Sequence, residues 1–156
     1  MNIAIGADHR GQEAAEHLAD KLRAAGHEVD VVGDLHSQST DYPEPAYEVG
    51  SRVADGRARF GVLICGTGIG VSIAANKVKG VRAAVVHDEL TATLSRSHND
   101  ANVVCMSADM LGERRMDAIV EAFIKSEFEG GRHSRRVGKI ESIERGEDPA
   151  NTTPVV

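Results

Sequence analysis

Cys65 is followed by Gly66-Thr67-Gly68-Ile69-Gly70, so a thiol meets a run in which every second residue is glycine. A thiolate acts as a base or a nucleophile, and a helix N-terminus beside it favours that form. Backbone N–H groups in a glycine-rich turn hold an anion or a developing oxyanion. Asp8 and His9 form a titratable pair early in the chain, and His98 and Asn99 form another polar pair late in it. Histidine exchanges protons near neutral pH. Arg132 and Arg136 stand four apart, the spacing of one helix face, with His133 and Arg135 extending a basic cluster. Guanidinium groups suit phosphate by their bidentate geometry. A thiolate base, a histidine acid, a donor-lined loop and an anion grip fit proton removal next to a carbonyl in a small phosphorylated substrate. Such chemistry needs no cofactor. Residue types alone leave other proton abstractions open.

Each of these residues also has a structural reading. The glycine run is a tight turn, Cys65 a core thiol, Thr67 a helix-cap hydroxyl, Asp8 a turn former, His98 a partner for a helix dipole. The arginines are a solvated face. Position favours chemistry for Cys65, because it ends a strand at the carboxyl edge, where open sheets bind ligands. Cys105 lies inside a later strand and is expected in the core. His17, His27, His36 and His87 are expected to be surface or structural. The loop does not match the dinucleotide fingerprint, because its glycines run G-x-G-x-G after the third strand, nor the P-loop, because Gly70 is followed by Val71 and Ser72. The scattered Cys, His and Asp show no metal-ligand spacing, so no metal is expected.

The elements that must position these groups alternate. Strands are expected at 3–5, 27–32, 60–64, 81–86 and 102–106. Helices are expected at 11–25, 45–56, 69–77, 88–97 and 112–127. Asp41-Tyr42-Pro43 falls in a loop. The run Phe60 to Ile64 is almost purely apolar, as a central parallel strand is. Strands alternating with helices imply βαβ units around a parallel sheet. A further helix over 132–146 has an apolar edge of Val137, Ile140 and Ile143, and it must cover either its own domain or a neighbouring subunit. Residues 147–156 read as a flexible tail. Residues 1–146 thus make one domain.

Composition agrees. A chain of 156 residues with 41% hydrophobic residues can build one core without staples. Aromatic residues make up only 3%, which argues against a base-stacking surface. A net charge of -6 repels nucleic acid and anionic membrane overall. Two cysteines 40 positions apart make no disulfide scaffold. With no long apolar run and no signal-like start, the expectation is a soluble cytoplasmic protein.

The motifs GADHRG, TDYP, ICGTGIG, SIAANK, SRSHNDANV and EGGRHSRRV, in this order from residue 1 to about 145, resemble the type B ribose-5-phosphate isomerases, a family that includes galactose-6-phosphate isomerase subunits. The resemblance implies a Rossmann-like three-layer sandwich whose five parallel strands run in the order 2-1-3-4-5. It implies a homodimer, sometimes a tetramer, with active sites at the subunit interface and no cofactor. It implies interconversion of ribose 5-phosphate and ribulose 5-phosphate, with Cys65 as base, Thr67 assisting it and His98 opening the furanose ring. Asp8, His9, Tyr42 and Asn99 bind substrate, the loop Gly66, Gly68, Ile69 and Gly70 holds the enediolate side, and Arg132, Arg136 and His9 hold the phosphate. A six-carbon sugar phosphate is the alternative substrate, and a non-catalytic sugar-phosphate-binding subunit the alternative role. One departure stands out. Where many relatives carry an arginine after the fifth strand, this chain has Asp109, which would repel a phosphate.

Overall fold

Phe60-Gly61-Val62-Leu63-Ile64-Cys65 is buried at every residue, as a strand covered on both faces must be. It is the middle strand of the sheet. The computed structural model describes residues 1–33 and 39–152. In chain order the elements are β1 (Asn2–Ala7), α1 (Gln12–Ala24), β2 (Glu28–Val32), α2 (Pro43–Ala54), β3 (Phe60–Cys65), α3 (Ile69–Ala75), β4 (Ala83–Val85), α4 (Glu89–Asn99), β5 (Val103–Ser107), α5 (Glu113–Lys125) and α6 (Arg132–Glu144). All strand pairs are parallel. Helices α1, α4 and α5 pack one face of the sheet, around Leu18, Ala92, Ile119 and Phe123. Helices α2 and α3 pack the other, around Val49, Val53, Val71 and Ala75. The result is the expected Rossmann-like three-layer sandwich with a helix added at the C-terminal end.

The strand order is 2-1-3-5-4, not 2-1-3-4-5. β5 pairs with β3 on one side and β4 on the other, and all five of its residues are buried. β4 has three residues, each only partly covered, and lies at the edge. The two runs are similarly apolar in sequence, so composition does not order them. Arg82 ties the start of β4 to the turn that precedes β5. Placed just before β4, it donates Nε to the Asp100 carbonyl at 2.9 Å and Nη2 to the Asp100 carboxylate at 2.7 Å.

Because every strand points the same way, each intervening helix returns from the carboxyl edge to the amino edge. The loops after β1, β3 and β5 therefore share the carboxyl edge. The end of α4 and the start of α6 lie at the other. β1 leads out to β2 on one side while β3 leads out on the other, so their carboxyl ends bound the crevice where ligands enter open sheets.

Two glycines let α2 approach unusually closely. A Cβ on Gly61 would sit 2.6 Å from Val49 Cγ1, and one on Gly6 would sit 2.9 Å from Val49 Cγ2. The sheet offers bare backbone to this helix, whose N-cap is Tyr42. Helix α6 covers its own chain, packing on α4, while its Glu144 accepts the Gly80 N–H at 2.8 Å. Ile140 and Ile143 stay 44% and 60% exposed, so its apolar edge is only partly used. Beyond α6 the described chain runs to Thr152. Pro149–Asn151 form one 3-10 turn, and the Thr152 and Ser142 hydroxyls pair at 2.7 Å. The last four residues of the expected tail, 153–156, lie outside the described residues, as does His36. No helix among the described residues is long and apolar enough to cross a membrane.

Candidate active site

The thiol sits at the end of the central strand, as its sequence position suggested. Cys65 is 4% exposed, and the Gly68 N–H donates to its Sγ at 3.1 Å. That amide is aimed by a left-handed turn. Gly68 has φ 76°, and a Cβ there would lie 2.9 Å from the Met106 carbonyl carbon, so a side chain would both strain the turn and collide with β5. α3 begins at the next residue, where the first N–H groups of a helix have no carbonyl of their own. Thr67 Oγ1 accepts the Ile69 N–H at 3.2 Å, so this hydroxyl does serve the turn, while its side chain stays exposed. Cys105 is fully buried, and burial above all pushes its thiol well up, with the Cys65 charge adding to it; a bond with Ser72 only partly opposes this. It belongs to the core, as expected.

The β1–α1 loop stands beside this one. Asp8 is buried, and its Oδ1 accepts the Arg10 N–H at 2.9 Å and the Gly11 N–H at 3.2 Å. One carboxylate oxygen therefore shapes the turn. His9 is exposed, with Nδ1 3.4 Å from the Thr40 carbonyl. Tyr42 closes the group. A Cβ on Gly70 would meet its ring at 2.8 Å, so ring and loop are in contact. Tyr42 caps α2, which begins at Pro43, earlier than the sequence pattern placed it. Cys65, Thr67, the glycine loop, Asp8, His9 and Tyr42 thus come together at the carboxyl edge.

His98, Asn99, Arg132 and Arg136 do not join them. Within one chain the guanidinium groups of Arg132 and Arg136 lie at the opposite edge of the sheet from Cys65. His98 and Asn99 occupy the last turn of α4, and Gly61, at the start of β3, donates to the Asn102 carbonyl just beyond them. A strand of this length separates them from Cys65 by roughly 15–20 Å. There they form a second cluster. The rings of His98 and His133 stack with centroids 4.2 Å apart and planes 7° from parallel. Arg132 Nε donates to His133 Nε2 at 3.3 Å. Arg132 and Arg136 are exposed, one turn apart on α6.

His133 is not part of a solvated basic patch. It is 5% exposed, and burial first, then His98, Arg132 and Arg136, push its imidazole below the ordinary value, with only Glu129 opposing. The ligand atoms of His98, Glu129 and His133 lie within 4.8 Å of one another, a grouping no sequence spacing revealed. Two parallel stacked rings direct their lone pairs along separate planes, and Arg132 already occupies His133 Nε2. The arrangement fits a histidine pair tied to an arginine better than a cation cage.

Two further residues hold this second cluster in place. Arg96 is 5% exposed, lies over the Phe60 ring at 4.9 Å, and donates Nη1 to Asp100 Oδ1 and to the Ala101 carbonyl, each at 2.7 Å. Asp100 ends α4 in the left-handed region at φ 47° and accepts from Arg82 as well. Both stand inside SRSHNDANV, but their sequence neighbours gave no sign that they act on backbone rather than substrate.

A sequence model of the family described as Ribose/Galactose Isomerase matches residues 3–140. The ribose-5-phosphate isomerase B of Escherichia coli (strain K12) is 43% identical over 143 residues, covering 92% of this chain and 96% of that protein. The ribose-5-phosphate isomerase B of Clostridium thermocellum superposes with a TM-score of 0.92 at 44% identity, over 94% of this chain and 99% of that one. The enzyme of the same name from Mycoplasma genitalium, solved with bound ribulose-5-phosphate, superposes at 0.89 with 42% identity, over 92% of this chain and 96% of that one.

Proposed function

The chain belongs to the ribose/galactose isomerase family, and from that premise we propose that it interconverts ribose 5-phosphate and ribulose 5-phosphate without a cofactor. The observation that carries the reading is the Cys65 thiol at the mouth of the glycine loop, with the Gly68 amide directed at its sulfur. The thiolate removes the proton from C2 of the open-chain aldose. The electron pair moves to form a C1–C2 double bond, and negative charge collects on oxygen, where the loop amides receive it. The same sulfur returns the proton to C1, and the hydroxyl proton passes to the other oxygen, so aldose becomes ketose with no net redox change. His98 protonates the ring oxygen when the furanose opens. Asp8, Tyr42 and Asn99 hold the sugar hydroxyls, and His9, Arg132 and Arg136 hold the phosphate.

These roles need two copies. One chain places the base and the loop at its carboxyl edge and the acid and the arginines at its amino edge. A homodimer that seats the α4–α6 corner of one copy over the glycine loop of the other assembles each site from both. The half-exposed apolar edge of α6 and the groove of about 480 Å³ beside Asn99 support a covered surface there.

The test is a progress assay over pentose and hexose phosphates. Ribose 5-phosphate is the expected preferred substrate, and a preference for galactose or allose 6-phosphate would move the assignment to a six-carbon sugar. C65S is expected to lower kcat by about 100-fold or more while still binding substrate. Full activity in C65S would remove the proposed base.

A further inference from the structure

Asp109 looks misplaced in a site for a dianion, yet it is not unpaired. Arg10, from the β1–α1 loop, meets it in a fork, with Nε at 3.0 Å from Oδ1 and 3.1 Å from Oδ2, and Nη2 at 2.7 Å from Oδ1. The pair lies directly on the first glycine of the catalytic loop. A Cβ on Gly66 would sit 3.1 Å from Arg10 Cδ, 3.1 Å from Asp109 Oδ2 and 3.2 Å from Arg10 Nε. Asp109 is fixed in turn, because its N–H donates to the Gly66 carbonyl at 3.2 Å and Ser107 Oγ donates to the same carbonyl at 2.6 Å. One guanidinium therefore joins the three loops that follow β1, β3 and β5.

The Arg10 side chain is 55% exposed and that of Asp109 41%. Exposed pairs of this kind contribute little to stability. What the pair achieves is placement of charge. Asp109 occupies the Nε and Nη2 edge of the guanidinium, and the N–H groups of Nη1 are not used by it. A planar fork can grip a carboxylate along one edge and a phosphate along the other, which an ammonium cannot do.

We propose that Arg10 is a phosphate-binding residue of this site and that Asp109 is the positioning residue that holds its guanidinium over Gly66. The assignment rests on the sugar-phosphate isomerase reading above. Arg10 adjoins His9 in sequence, so the carboxyl-edge half of the site brings its own anion holders to meet Arg132 and Arg136 of a second copy. The carboxylate at 109 thereby strengthens phosphate binding through Arg10 instead of opposing it.

Simple charge and positioning predict opposite signs for Asp109. If it only repels, D109N tightens phosphate binding; if it positions Arg10, D109N weakens it. The experiment compares wild type, R10Q, D109N and the double variant R10Q/D109N. Its readouts are KM and kcat for ribose 5-phosphate, inorganic phosphate affinity by calorimetry, and thermal unfolding. R10Q is expected to raise KM and weaken phosphate binding by about tenfold or more, with kcat and unfolding temperature little changed. D109N is expected to raise KM by a smaller factor, and the double variant to be no weaker than R10Q, since Asp109 acts through Arg10. Unchanged phosphate affinity in R10Q, tighter binding in D109N, or additive losses in the double variant would each overturn the proposal. A wild type that binds phosphate through Arg10 but does not isomerise ribose 5-phosphate would sink the functional reading and leave this one standing.

Discussion

At the scale of single residues, the buried imidazole of His133 makes stability depend on pH. Its environment disfavours the proton, so the folded chain resists protonation below the ordinary 6.5 while the unfolded chain accepts it. Its contribution is therefore fully present above that pH and falls as acid is added. Urea unfolding at about pH 7.5 and about pH 5.5, at one protein concentration, should show a smaller loss of stability in H133N than in wild type. An equal loss would remove His133 as the cause. Cys65 was legible in sequence because its cues are local, a thiol, a strand end and three glycines. Arg10 was not, because its partner Asp109 is 99 positions away and only the fold brings the two loops side by side. For the same reason Asp109 read as a repelling group when it is a neutralised one. His133 read as surface charge because burial by stacking on His98 leaves no trace in spacing.

At the scale of elements, the end of α4 shows how a structural lock lies beside the proposed pair His98 and Asn99. A capping box fixes its start, where Asp88 accepts the Thr91 N–H at 2.7 Å. Its end is fixed by Asp100 between Arg82 and Arg96. D100G keeps the left-handed backbone available but removes both arginine contacts. It should destabilise the protein by about 2 kcal/mol and also raise KM, because His98 and Asn99 lie in the turn that loosens. Unfolding and steady-state kinetics on one preparation would check both effects, and a loss of stability with KM unchanged would separate the lock from the site. Element types and approximate bounds were readable from periodicity, since β3 is apolar throughout and α5 repeats its apolar face. The order of β4 and β5 was not. Both are short apolar runs, and which one sits inside depends on pairings between distant segments.

At the scale of the whole molecule, the proposed site divides between opposite edges of the sheet, and this gives a test that needs no structure of an assembly. C65S and H98N should each be nearly inactive alone. If both are unfolded, mixed and refolded together, hybrid dimers carry one site with both defects and one with neither, and random pairing should restore about a quarter of wild-type activity. No recovery would place Cys65 and His98 of the same chain in one site. A further consequence follows from the closeness of α2 to the sheet. Val49 rests on the bare backbone of Gly6 and Gly61, and Tyr42 caps the same helix at its far end. A single methyl group added at Gly61 would act as a wedge under a rigid rod, tipping an aromatic ring that it never touches. In the proposed site, the middle of this sheet is thus coupled to the fit of a sugar about two turns of α2 away, and the smallest residues there would serve molecular recognition alongside the charged ones.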